Sequence, residues 1–174
     1  REFLIPVWGE EIGLGKDQIG YIATISFAVD SMMFPLVGYS MDRWGRKSTG
    51  IPAFLVLGIA VALIPQTGTF GALLAVGLLA GLGNGLSSGF VLITGTDLSP
   101  KNNPGGFLGV WRFISDTGGA SGPVAIGGLA QIVTIGVASL ATAGIGAFGA
   151  FMLIFIVKET MTRTPKRVAT SRPK

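Results

Sequence analysis

Long apolar stretches alternate with short polar ones along this chain, and the pattern predicts membrane-spanning helices. Charged residues are absent from Thr49 to Thr96 and from Thr117 to Val157. Runs of this length leave no charged face for water, and each can hold two membrane spans of about 20 residues with a turn between them. We therefore predict an all-α integral membrane protein, a polytopic bundle of about five transmembrane helices at residues 18–37, 48–66, 70–94, 106–132 and 134–157.

The two ends of the chain differ from this pattern. The stretch from Phe3 to Trp8 is apolar but too short to span a bilayer, so residues 1–17 are expected to be the end of a preceding helix and an external loop. Residues 158–174 form a basic tail rich in Thr, Ser and Pro. The chain does not begin with Met, and we expect it to be part of a longer protein whose N-terminal helices are missing.

Composition strengthens the membrane assignment and disfavours several functional classes. Hydrophobic residues make up 49% of the chain, glycine adds 28 residues, and only 13% are charged, against about 25% in soluble domains. There is no cysteine and no histidine, which removes disulfides, thiol chemistry and the usual zinc and haem ligands. The sequence shows no nucleophile–base set, metal-ligand cluster or phosphate loop, so we expect no enzyme, cofactor or metal site.

Lysine and arginine are distributed unequally between the predicted loops. Ten of the 13 lie on the side that carries residues 38–49, Lys101 and the tail, whereas Arg1 and Lys16 lie on the other and Arg112 falls within a span. Because basic residues are enriched on the cytoplasmic side of membrane proteins, we expect a cytoplasmic C-terminus, with the plasma (inner) membrane as the location. Topology therefore accounts for most of the net charge of +4, which gives no reason to expect a nucleic-acid partner.

One short segment between two apolar stretches concentrates charge in a specific order. In GYSMDRWGRKS, the residues that carry the pattern are Gly38, Asp42, Arg43, Gly45, Arg46 and Lys47. Gly38 would let helices approach closely, Asp42 would accept hydrogen bonds from a helix N-terminus, and the arginines would bind carboxylates or helix C-termini. Gly45 would permit a tight turn. The alternative is that these bases only set topology, which any three bases would do.

This segment resembles the signature loop of the major facilitator superfamily (MFS) of secondary transporters. Four predicted spans follow it, ending in a basic tail, so the chain resembles the C-terminal half of such a transporter, from the end of helix seven through helix twelve. The resemblance implies half of an MFS-type fold, a small-molecule substrate and a coupling proton. Because the two halves of these proteins are structural repeats with the substrate site between them, it also implies that this chain carries part of a site.

Four polar residues fall inside predicted spans: Asp30, Asn84, Arg112 and Asp116. Intramembrane charges generally face a cavity or a partner and are functional candidates. Asp30 and Arg112 are expected at similar depths and could pair, while Asp116, one turn from Arg112, offers a competing local pair. The three either form a switchable network, in which one carboxylate carries a proton, or a static ion pair between helices. Asn84 is expected to form a helix–helix hydrogen bond rather than bind substrate.

Small residues recur at intervals of four in two of the predicted spans. The first set is Gly77, Gly81, Gly85 and Gly89, and the second is Gly118 and Gly122, followed by Pro123. Glycines at this spacing allow helices to pack closely in lipid, so both sets are predicted to be packing seams. The stretch GGASGPVAIGG also resembles an antiporter-associated Gly-Pro motif of the family, although three residues rather than two separate Pro123 from the following glycine pair.

Two functions of different classes remain compatible with these observations. The first is a secondary transporter of a small solute, of which this chain is the C-terminal part. The second is an incomplete transporter remnant or a small membrane scaffold without transport activity of its own. A self-assembling channel is disfavoured because no helix carries a continuous polar stripe.

Overall fold

A computed structural model of the protein describes residues 1–155, and within them all regular structure is helical. The N-termini of two long helices follow local capping signals. The Thr69 hydroxyl accepts a hydrogen bond from the Ala72 amide at 3.3 Å, and Asn103 caps the next helix in the same way. The helices are α1 (Leu4–Glu11), α2 (Lys16–Trp44), α3 (Arg46–Leu63), α4 (Phe70–Leu98), α5 (Pro104–Ile132) and α6 (Ile135–Phe155), with a 3₁₀ turn at Ile64–Gln66.

Within residues 1–155, four helical segments are long and apolar enough to cross a membrane. They are α2, α3 with its 3₁₀ turn, α4 and α6, with mean hydropathies of 1.4, 2.0, 1.6 and 1.9. Large apolar side chains on their outer surfaces are exposed, as a lipid environment allows. The predicted all-α membrane bundle is therefore confirmed. The fifth predicted span corresponds to α5, which has 29 residues but is not among these four.

The predicted loop at residues 38–49 is much shorter than expected. α2 continues through Gly38, Asp42 and Arg43 to Trp44, and α3 begins at Arg46. A single glycine costs a helix only about 1 kcal/mol, so Gly38 does not end α2. The break comes at Gly45, whose φ of 97° lies in the region that favours glycine. The predicted close approach at Gly38 is not formed by residues 1–155, because a Cβ placed there has no neighbour within 4 Å.

α4 occupies the centre of the bundle, between α2 and α3, and α6 packs on the other side of α3. The regularly spaced glycines of α4 all face α2. A Cβ added at any of them would lie closer than 3.0 Å to an α2 atom, so α2 and α4 can approach only because these side chains are absent. The facing pairs are Gly77 with Ile22, Gly81 with Ser26, Gly85 with Asp30, and Gly89 with Val37.

The second predicted seam is not formed by the described residues. A Cβ added at Gly118 or Gly122 would have no neighbour within 4 Å in residues 1–155. The reason is that α5 stands away from the rest of the bundle and leaves most of its surface exposed. Pro123 lies inside α5 without ending it.

Two ends of the bundle are defined by specific contacts. At the Trp8 end, the Trp8 indole N–H donates to the carbonyl and hydroxyl oxygens of Thr67 at 2.9 and 3.1 Å, which ties α1 to the connection before α4. At the opposite Arg46 end, α2 and α4 finish while α3 begins. The predicted basic tail at residues 158–174 lies outside the described residues.

Candidate transport site

Asp30 lies at the middle of α2, 14 residues from Lys16 and 14 from Trp44. Its side chain is only 12% exposed. Oδ2 accepts hydrogen bonds from the Arg1 guanidinium and from the Asn84 side-chain amide, each at 2.7 Å. An unpaired carboxylate at this depth would be very unfavourable in a membrane, and these two donors stabilise its charged form.

Arg1 is the cation that sequence reasoning missed. Its side chain is 5% exposed, and its guanidinium also donates to the Ser26 hydroxyl at 2.9 Å and lies 4.8 Å from the centroid of the Phe27 ring. Ser26 in turn donates to the Gly77 carbonyl at 2.7 Å. Little in the sequence indicates that Arg1 is buried against Asp30. Arg1 precedes an apolar stretch that is too short to be recognised as a span, so it was counted as an external charge.

Two polar atoms of this cluster are buried without a hydrogen-bond partner in residues 1–155: Asp30 Oδ1 and Arg1 Nε. Buried polar atoms are normally paired, and those that are not often mark functional sites. The second carboxylate oxygen of Asp30 is therefore a position at which a further hydrogen-bond donor can bind.

Asn84 connects this buried cluster to an open cleft. It lies at the middle of α4, 14 residues from Phe70 and 14 from Leu98, and besides Asp30 it contacts the Ser88 hydroxyl at 3.5 Å. The predicted helix–helix hydrogen bond is thus present between α4 and α2. The same side chain also lines a cleft of about 400 Å³ between α4 and α5, within the usual range for small-molecule sites.

The cleft lining is rich in polar side chains for a membrane protein. Both charged members come from α5, where Arg112 Nε lies 3.0 Å from Asp116 Oδ2. Of the two arrangements left open by the sequence, the local pair is therefore the one observed, and the described partners of Asp30 are Arg1 and Asn84 instead. The full lining is Asn84, Ser87, Ser88, Val91, Leu92, Trp111, Arg112, Ser115, Asp116 and Gly119.

At the Arg46 end, the first residue of α3 joins three helix ends. Arg46 binds the Asp97 carboxylate through two nitrogens, at 2.7 and 3.3 Å, and donates to the Met41 carbonyl at 2.9 Å. Bidentate pairing of this kind is directional and comparatively strong. Asp97 was missed by sequence reasoning, although an acid directly after a long uncharged run and opposite a basic segment is a usable signal.

The other charged residues of the signature segment make local contacts and one contact to α6. Asp42 is largely exposed, and its carboxylate lies 3.5 Å from the Arg46 guanidinium; within residues 1–155 no hydrogen bond from a helix N-terminus to this carboxylate is found. Arg43 donates to the Tyr39 hydroxyl at 2.7 Å, within its own helix. Lys47 donates to the Ile154 carbonyl at 3.2 Å, which links α3 to the C-terminal part of α6.

Known proteins similar to this chain are membrane transporters. The ectoine/proline transporter ProP of Corynebacterium glutamicum is 39% identical over 40% of this chain, which is 15% of its own length. The vacuolar membrane amino acid uptake transporter fnx2 of Schizosaccharomyces pombe is 29% identical over 71% of this chain and 23% of its own length. The multi-drug resistance efflux pump PmrA of Streptococcus pneumoniae is 25% identical over 95% of this chain.

The chain spans less than half the length of these curated relatives, at most 42% in the case of PmrA. The family model of the Major Facilitator Superfamily matches residues 3–174, almost the whole sequence. The predicted resemblance is confirmed by this match, and the chain belongs to the Major Facilitator Superfamily.

Proposed function

We propose that this chain is the C-terminal part of a secondary active transporter of a small solute, coupled to an ion gradient through Asp30. Family membership supports membrane transport rather than enzymatic catalysis. The positions of the signature segment and of the predicted basic tail support assignment to the second half of the fold. They also favour a plasma-membrane protein with the Arg46 end on the cytoplasmic side.

The observation that carries the coupling proposal is the dual position of Asn84. Its amide binds the buried Asp30 carboxylate at 2.7 Å and also lines the open cleft. A solute that draws this amide into the cleft leaves Asp30 with Arg1 as its only described donor. Because a carboxylate with fewer donors is less stable in its charged form, solute binding then favours proton uptake by Asp30. By linkage, protonation favours solute binding equally.

The proposal is tested with the full-length transporter reconstituted in vesicles. Asp30→Asn should retain solute exchange between the two sides but lose accumulation driven by a proton gradient, because the substituted amide cannot titrate. Asp17→Asn is the matched control: Asp17 lies in the exposed first turn of α2 and should leave accumulation unchanged.

Two results would contradict the coupling role. The first is gradient-driven accumulation by Asp30→Asn at the wild-type level. The second is recovery of coupled transport when Asp30→Asn is combined with Arg1→Gln, since that result assigns the pair a purely structural role. Absence of transport by a folded, full-length wild type would instead favour the remnant or scaffold interpretation.

A further inference from the structure

We propose that the α4–α5 cleft binds a compact zwitterion, a solute carrying one carboxylate and one ammonium group, between Arg112 and Asp116. This inference rests on the proposed transport function and specifies its substrate class. The solute carboxylate pairs with the Arg112 guanidinium, and the solute ammonium pairs with the Asp116 carboxylate.

The first argument is the charge balance of the cleft. Arg112 and Asp116 are the two charged residues of its described lining, and their charges cancel. The neighbouring buried cluster, Arg1 with Asp30, is balanced as well. A solute with a net charge would leave one charged group of the cleft without a partner of opposite sign, whereas a zwitterion preserves neutrality while using both charged groups.

The second argument is the geometry of the pair. Arg112 and Asp116 are one helical turn apart on the same face of α5, about 6 Å along its axis. The two charged groups are in contact with each other, with Arg112 Nε 3.0 Å from Asp116 Oδ2. Because their backbone positions are a full turn apart, the two side chains can separate and receive a solute whose two charges are carried by neighbouring carbons. The arginine fork suits a carboxylate in particular, because it can donate two parallel hydrogen bonds.

The third argument is that the existing ion pair is easily exchanged. The side chains of Arg112 and Asp116 are 72% and 63% exposed, and an exposed i,i+4 ion pair is among the weakest electrostatic contacts in proteins. A zwitterion replaces one such contact with two. The surrounding Ser88 and Ser115 hydroxyls add hydrogen-bonding groups, and Val91 can contact an apolar portion of the solute.

The test uses the full-length transporter in vesicles and measures exchange of radiolabelled solutes. The zwitterionic probes are glycine, proline and leucine. The amide of the best probe retains only the ammonium group, and its N-acetyl derivative retains only the carboxylate. The wild type should prefer the zwitterion over both derivatives by at least about tenfold in apparent affinity, the ratio that corresponds to about one lost pairing.

Each single neutralisation should remove most of this selectivity, and the two should do so for different derivatives. Asp116→Asn leaves Arg112 as the unbalanced charge and should raise the preference for the N-acetyl derivative relative to the zwitterion by about tenfold. Arg112→Gln should do the same for the amide. The controls Asp17→Asn and Lys101→Gln remove charges outside the cleft and should preserve the wild-type ranking.

Three outcomes separate the possible failures. If the wild type exchanges a hydrophobic cation such as ethidium but none of the zwitterions, the substrate class is wrong while transport stands. If Arg112→Gln combined with Asp116→Asn exchanges zwitterions like the wild type, the pair only neutralises itself and the binding role is overturned. If folded wild type exchanges no probe and generates no solute gradient, the proposed function itself fails.

Discussion

A single added methyl group at Gly85 should disturb both the packing of the bundle and the buried carboxylate. In the Gly85→Ala variant, the new Cβ would lie 2.6 Å from the Asp30 carbonyl oxygen and 2.7 Å from Met33 Cβ, where ordinary contacts are 3.4–4 Å. A backbone carbonyl cannot rotate away like the end of a flexible side chain. α2 must therefore move away from α4 by about 0.8 Å or more, the shortfall from normal van der Waals contact.

The size of this shift sets the expected loss. If the side chains move with their helices, the Asn84–Asp30 hydrogen bond lengthens from 2.7 Å to about 3.5 Å, beyond the range of an N–H···O bond. Overpacking of this kind typically costs about 1–3 kcal/mol, partly offset by the roughly 1 kcal/mol advantage of alanine over glycine in a helix. The matched control is Gly71→Ala in the same helix, where an added Cβ meets no atom within 4 Å.

The comparison is made on purified full-length transporter, by thermal unfolding and by initial rates of solute exchange. Gly85→Ala should melt about 1–4 °C below Gly71→Ala, since a full-length transporter of the size of PmrA is more than twice as long as this chain and each kcal/mol then shifts the midpoint by only about 1 °C. It should also exchange solute at least about tenfold more slowly, as expected for a binding site displaced by almost 1 Å. Equal melting temperatures and equal exchange rates for the two variants would refute the close α2–α4 contact.

Two further predictions concern the ends of the bundle. Charge reversal of either Arg46 or Asp97 should slow transport, because their contact is short and bidentate. The double variant Arg46→Asp with Asp97→Arg should recover part of the initial rate. No recovery in the double variant would argue against this pairing. Trp8→Phe removes an indole donor shared by two oxygens and should lower stability by about 1 kcal/mol, seen as a melting shift of about 1 °C in the full-length transporter, with Trp44→Phe as an exposed control.

Features that depend on one helix face were accessible from sequence alone. The four-residue spacing of Gly77, Gly81, Gly85 and Gly89 places them on one side of α4, and this is the side that α2 contacts. The long uncharged runs likewise predicted apolar helices, because a segment that crosses lipid must be apolar and must pair its own backbone groups, as a helix does. Both inferences use information contained within a single segment.

Features that depend on which segments meet were not accessible. The carboxylate partner of Arg46 lies 51 residues later, at Asp97, and the partner of Asp30 lies 29 residues earlier, at Arg1. Depth estimates alone made Arg112 a reasonable partner for Asp30, and they did not point to Arg1. The position of α5 was also beyond sequence reasoning, since glycine spacing marks a face that can pack closely without showing that a neighbour is present.

The packing of α4 and the chemistry of its central residue are a single feature of this structure. An asparagine side chain is short, so Asn84 can bridge two helices only where their backbones approach closely. The glycines on either side of it, Gly81 and Gly85, provide that approach to α2. The seam therefore holds Asp30 within reach of Asn84, while the opposite side of the same residue faces the cleft with α5.

This arrangement indicates where motion is compatible with the site. Separation of α2 from α4 would break the Asn84–Asp30 contact and remove tight packing along the whole glycine seam. Movement of α5 relative to α4 would break far fewer packing contacts, because α5 contacts the described bundle sparsely. Opening and closing of the cleft is therefore expected at the α4–α5 boundary. In that case rotation of the Asn84 side chain, rather than displacement of α2, connects events in the cleft to the buried carboxylate.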